Sequence, residues 1–153
     1  MQEELKNENS IDRKKFLMAA GLIGASVPVT ELYAANSHAG HGPSKGAAAV
    51  AKAASECASL GEICVTHCVD LVRKGDTSIA ECIATVNEAV AACTALSSLA
   101  NYNSMHLKQF AKACKGICGH CENECKKHAK KHKACKDCAD ACARCIQAIN
   151  KIL

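Results

Sequence analysis

Residues 114–145 read Cys114-Lys-Gly-Ile-Cys118-Gly-His-Cys121-Glu-Asn-Glu-Cys125-Lys-Lys-His-Ala-Lys-Lys-His-Lys-Ala-Cys135-Lys-Asp-Cys138-Ala-Asp-Ala-Cys142-Ala-Arg-Cys145. The cysteines step by four, three and four residues and then, past a gap rich in Lys and His, by three, four and three. Residues three and four apart are neighbours on one face of an α-helix. At about 100° per residue, the first four fall within an arc of roughly 60° and the second four within roughly 80°. Two helices thus carry rows of sulfur where a core-facing stripe normally carries Leu and Val. A chain that puts thiols in place of hydrocarbon is most simply read as one that fills its core with a soft metal.

The composition agrees. Of 153 residues 13 are Cys, while Trp is absent and Phe and Tyr number two each, so an ordinary apolar core would be thin. The length suits one domain after removal of any targeting segment. No Pro occurs beyond Pro43, which favours long helices. The formal charge of +4 is mild and most of the Lys is clustered; nucleic acid is not expected as a partner.

Residues 1–34 have the pattern of an export signal. A polar segment ends in Asp12-Arg13-Lys14-Lys15, and an apolar run from Phe16 to Val29 follows. That run is too short and too rich in Gly and Ala for a permanent span. Asp12 to Leu17 resembles a twin-arginine signal with Lys14 in place of the second Arg. The expectation is a cleaved signal, an exported or periplasmic protein, and no stable membrane insertion after cleavage. Residues 35–46 read as a flexible linker, with His38 and His41 solvated.

Residues 47–153 read as a Cys-rich all-α domain. A first helix is expected from about Ala47 to Arg73, with Cys57, Cys64 and Cys68 on one stripe. Gly75-Asp76-Thr77 is a turn, and Ser78 with Glu81 matches a capping box for a second helix to about Ala100 that carries Cys82 and Cys93. A third helix is expected from about Ser104 to Lys127 and a fourth from about Lys131 to Ile152. Short connections then give an antiparallel up-down four-helix bundle with a thiol-lined core. The cysteine rows in all four segments cover similar lengths, roughly 16 Å at 1.5 Å per residue. Cys57, Cys93, Cys114 and Cys145 should share one level and Cys68, Cys82, Cys125 and Cys135 another, with Cys64, Cys118, Cys121, Cys138 and Cys142 between. One end should be an apolar plug of Leu96, Leu99, Leu107, Phe110, Ile149 and Ile152. The other should be a polar mouth with His67, His128, His132 and Lys126, Lys127, Lys130, Lys131 and Lys133, where metal enters. His128 lies on the cysteine stripe and is a candidate ligand. His132 and His120 read as surface residues, and His106, at a stripe edge near the plug, as a packing or surface residue.

Disulfides fit the rows poorly. The count is odd, and thiols three or four apart on one helix have Cβ atoms about 5–6 Å apart, beyond the roughly 3.5–4.5 Å of a cystine. Iron–sulfur ligands come with other spacings. Zinc accepts the pairs Cys118–Cys121 and Cys135–Cys138, but a buried Cys₄ zinc site carries two net negative charges. Cu(I) suits thiolate best. One Cu(I) per thiolate, with shared sulfurs, gives a neutral filling. The chain is therefore expected to be a non-enzymatic Cu(I) store; a zinc- or mixed-metal-binding bundle is the alternative. A redox enzyme would need one exposed, low-pKa cysteine rather than interior rows.

The rows Cys114-x₃-Cys118-x₂-Cys121-x₃-Cys125 and Cys135-x₂-Cys138-x₃-Cys142-x₂-Cys145, with Cys64-x₂-His67-Cys68, resemble the four-helix-bundle copper storage proteins over about residues 47–153. The resemblance implies a homotetramer of bundles, each holding many Cu(I) ions on Cys pairs in its core and later supplying copper-requiring acceptor proteins. It also implies that His67 sits near the mouth. Exported relatives can carry Met there; this chain has Leu71 and Ile79, with Met105 toward the other end.

Overall fold

The structure, a computed structural model, describes residues 42–153. The expected signal at 1–34 and the linker through His41, with His38, lie outside the described residues. Four helices follow in order: α1 (Lys45–Arg73), α2 (Ala80–Asn101), α3 (Leu107–His128) and α4 (Lys133–Asn150), with a 3-10 turn at Thr77–Ile79 ahead of α2.

Local chemistry fixes the helix starts, which differ from expectation by a few residues; α4 starts at Lys133 rather than Lys131. Ser44 caps α1, its Oγ accepting from the Ala47 amide at 3.2 Å, so the helix begins at Lys45, two residues before its expected start at Ala47. The Ser78–Glu81 capping box does not form. Instead Asp76 accepts from both the Ser78 amide (3.1 Å) and the Ser78 hydroxyl (2.6 Å), an Asx turn that starts a 3-10 turn rather than an α-helix. Before α3, Asn103 takes a left-handed conformation (φ 52), and Ser104 accepts from the His106 amide. Helix α3 therefore starts at Leu107, not Ser104.

The helices pack in a ring, α1 on α2, α2 on α3, α3 on α4 and α4 on α1. Sulfur contacts give their directions. Cys57 meets Cys142 while Cys64 meets Cys135; Cys93 meets Cys118 while Cys82 meets Cys125. Residue numbers rise on one helix as they fall on its neighbour, so α1 and α4 run antiparallel, as do α2 and α3. The plug is present: Val50, Ala54, Leu96, Ala100, Ala111 and Ile149 are fully buried, and Leu99, Phe110 and Ile152 pack against them. Among the described residues Thr77–Asn101 is long and apolar enough to cross a membrane by length and composition alone; in the bundle it gives Cys82, Val86, Cys93 and Leu96 to the core.

Helices α1 and α2 approach closely at Gly61. A Cβ there would stand 2.5 Å from Val90 Cγ2 and 3.5 Å from Val86 Cγ1, and β-branched valines on a helix have little freedom to turn aside. Gly61→Ala will therefore lower stability by about 1–2 kcal/mol despite the better helix propensity of Ala. Denaturant unfolding of the copper-free protein checks this; an unchanged or raised midpoint would refute the tight crossing.

Candidate metal centre

All thirteen cysteines are free thiols with side chains at most 2% exposed. α1 contributes Cys57, Cys64 and Cys68, and α2 contributes Cys82 and Cys93. α3 contributes Cys114, Cys118, Cys121 and Cys125, and α4 contributes Cys135, Cys138, Cys142 and Cys145. Helical periodicity aims each row inward. Sulfur–sulfur separations run from 3.5 Å (Cys93–Cys118) and 3.6 Å (Cys57–Cys142 and Cys82–Cys125) to 4.0 Å (Cys68–Cys135). These are contact distances between reduced thiols. They also match a metal ion: three sulfurs about 2.3 Å from a trigonal ion stand about 4.0 Å apart.

Five groups of sulfurs lie within 4.8 Å of one another: Cys64/Cys68/Cys82/Cys135, Cys64/Cys125/Cys138, Cys121/Cys138/Cys142, Cys57/Cys118/Cys142 and Cys93/Cys118/Cys145. In that order each group shares one sulfur with the next: Cys64, Cys138, Cys142 and Cys118. Cys114 extends the string, 3.9 Å from both Cys93 and Cys118. The thiols therefore form one continuous path along the bundle rather than separate sites. The expected levels are staggered: Cys125 touches Cys82 but groups with Cys64 and Cys138, and Cys57 groups with Cys142 and Cys118 while still neighbouring Cys93 and Cys145 as expected. Side chains on antiparallel helices interdigitate, so neighbouring rows are offset by part of a turn.

The network sets proton affinity collectively. Hydrogen bonds from neighbouring thiols, Cys125 foremost for Cys64, Cys114 for Cys93 and Cys118 for Cys142, push those three thiols well above the ordinary value, and burial adds to the effect. Cys82, Cys138 and Cys145 are pulled down by their thiol neighbours, with Cys125, Cys121 and Cys114 the largest influences respectively. Lowered groups add stability above the unfolded thiol pKa. Raised groups add stability below it and lose it as pH climbs toward their folded values. Above pH 9.0, the ordinary thiol value, the unfolded chain sheds thiol protons that the folded core keeps, so the metal-free bundle loses stability. Anaerobic thermal melts from about pH 9 to about pH 11 should show a falling Tm; a flat profile would mean that the core does not hold its protons.

Of the expected histidines, His67 is half-buried, its Nε2 enclosed without a hydrogen-bond partner among the described residues. Its ring lies 5.0 Å from that of His132, which sequence reading left on the surface. His132 precedes α4 in extended conformation, and its place three residues before Cys135 was the available signal. His128, half-buried, ends α3, and its carbonyl accepts from the amides of Lys131 and His132. Neither His67 nor His128 falls in any of the five groups. His106 and His120 are exposed, as expected. The mouth is less basic than its Lys count suggests. Lys126, Lys127 and Lys133 pair with Glu122, Glu124 and Asp137, leaving Lys130 and Lys131 without a carboxylate partner among the described residues.

The family of copper storage proteins matches residues 44–153. No curated protein matches the sequence. Among solved structures, the chain is similar to a copper storage protein from Streptomyces lividans loaded with 10 copper equivalents, with 27% identity, TM-score 0.65, and coverage of 71% of this chain and 83% of that one. It is equally similar to a structure described as copper loading to a cytosolic copper storage protein from the same organism, five coppers, with 27% identity, TM-score 0.65 and coverage of 71% and 92%. A mutant of the Streptomyces lividans protein gives 25% identity, TM-score 0.65 and coverage of 73% and 95%. These matches overturn the expectation of an exported, periplasmic protein: a matched structure is that of a protein described as cytosolic, and the residues read as a signal lie outside those described. A core lined by thirteen buried thiols, the bundle that carries them and a family match across all four helices lead to one assignment: the chain belongs to the copper storage protein family.

Proposed function

We propose that this bundle stores Cu(I), held by the thirteen core cysteines and released intact to copper-requiring acceptors without catalytic turnover. The unbroken string of shared sulfurs from Cys64 through Cys138, Cys142 and Cys118 to Cys114 carries this reading. An ion bound by two or three of them can move to the next group by exchanging one ligand at a time, never leaving sulfur. Each thiol gives up a proton as it binds, so Cu(I) enters a dry core without accumulating charge. His67 and His128 belong to the mouth in this reading, His67 with His132 beside it. Assembly into a homotetramer is part of the same reading and is checked by mass in solution.

The test is an anaerobic Cu(I) titration of the reduced full-length chain against a competing chelator. Uptake approaching one Cu(I) per cysteine is expected; saturation at about two or three per chain would reject storage.

A further inference from the structure

We propose that Cys64, Cys68, Cys82 and Cys135 also form a tetrathiolate site for one divalent ion of the zinc class, at the histidine-bearing end of the sulfur string. Of the five groups this one alone has four sulfurs. Three of its edges are 3.8 Å (Cys64–Cys135), 3.9 Å (Cys64–Cys68) and 4.0 Å (Cys68–Cys135). A tetrahedral ion bonded to sulfur at about 2.3 Å places its ligands about 3.8 Å apart. Three corners, Cys64 and Cys68 from α1 and Cys135 from α4, are therefore already at that spacing, and Cys82 of α2, within 4.8 Å of all three, supplies the fourth. The remaining groups offer three sulfurs each, which leaves a tetrahedral ion one ligand short and suits a monovalent ion.

Charge favours the same location. Four thiolates around a divalent ion leave two negative charges, costly in a dry core. Cys82 is the third residue of α2 and Cys135 the third of α4, so two of the four thiols lie in first helical turns, where the backbone dipole lowers the cost of thiolate; α1 and α3 end at the same level, at Arg73 and His128, and their C-termini cancel part of that gain. Cys93, Cys118, Cys121, Cys138, Cys142 and Cys145 lie beyond the first turn of their helices and have no such support. His67 directly precedes Cys68, and the His132 ring stands 5.0 Å from that of His67, which adds two imidazoles beside the site. A divalent ion here would hold the mouth of the string together while copper is scarce. Because thiolates select Cu(I), incoming copper would expel the ion and take its four sulfurs as the first step of filling.

The inference concerns the thiols of the proposed store, but its test is separate. The reduced, metal-free full-length chain is titrated anaerobically with Co(II), a spectroscopic stand-in for zinc. One Co(II) per chain is expected, with the intense ligand-field absorption of a tetrahedral thiolate complex, displaced by one equivalent of Zn(II). Cys82→Ser and Cys135→Ser should each weaken Co(II) binding by more than about 100-fold, with the helical circular dichroism retained. Cys93→Ser, far along the string, should leave it unchanged. Octahedral Co(II) spectra, no binding at micromolar protein, or equal losses in Cys93→Ser and Cys82→Ser would overturn the site. A chain that fills with Cu(I) yet takes no Co(II) rejects this site alone; one that takes a single Co(II) and little Cu(I) keeps the site and rejects storage.

Discussion

Anaerobic loading with Cu(I) will raise the melting temperature of the bundle by more than about 20 °C. The reason lies in what fills the copper-free core. Its largest fully buried side chains are Ile79, Leu96 and Ile149, followed by Val50 and Val86 and then by cysteines. A buried thiol behaves as a small hydrophobe with a weak S–H donor, so the metal-free domain is held by little more than the plug and contacts between sulfurs. A Cu(I) held by any of the five sulfur groups would bridge thiols on different helices, and those thiols meet only in the folded state. A ligand at 1,000 times its Kd stabilises by about 4.1 kcal/mol per site, and several such sites exceed the whole stability of an ordinary domain, about 5–15 kcal/mol. Pairs such as Cys135–Cys138 also bind metal in the unfolded chain and trim the gain without cancelling it. Circular-dichroism melts with and without Cu(I), repeated with a chelator that strips the metal, test the prediction. A shift of only a degree or two would mean that copper sits outside the core.

The rows in α3 and α4 were legible because sulfur at steps of three and four has one geometric meaning on a helix, and the inward stripe followed directly. Other features depend on partners that periodicity does not contain. The Ser78–Glu81 box lost to Asp76, two residues upstream, because an Asx turn closes locally and needs no helix to exist first. Three lysines of the mouth became ion pairs within single helices, such as Lys126 with Glu122 at 2.5 Å, and exposed pairs of this kind are worth only about 0.3–0.5 kcal/mol each. His132 was read as a loop residue, and whether a loop residue meets His67 is decided by how α1 and α4 cross. Ala54, Ala100 and Ala111 were invisible as core because Ala carries almost no hydrophobic signal, yet their small size lets the helices close over the plug.

Leu96→Ala will destabilise the copper-free bundle by about 3–4 kcal/mol and lower its Tm by roughly 10–20 °C, while copper capacity stays near that of the parent. Leu96 is fully buried, one turn beyond Cys93 on α2, and belongs to none of the five sulfur groups. Its removal opens a cavity at the plug, whose other buried residues, Val50 and Ile149 among them, sit on helices already fixed by the rest of the bundle and cannot collapse into the space. Cys93→Ser should do the reverse: a near-isosteric change with a modest stability cost, but the loss of a sulfur that joins Cys118 at 3.5 Å and Cys114 at 3.9 Å, so that the far end of the string holds fewer ions. The pair of variants separates two jobs within one interior. If hydrocarbon at the plug supplies the fold and sulfur along the axis supplies the capacity, stability and stoichiometry will move independently, and Cu(I) added to the Leu96→Ala protein will restore most of the lost Tm. A Leu96→Ala protein whose copper capacity fell in step with its stability would show instead that the interior is a single unit, in which the metal cannot be held unless the plug is intact.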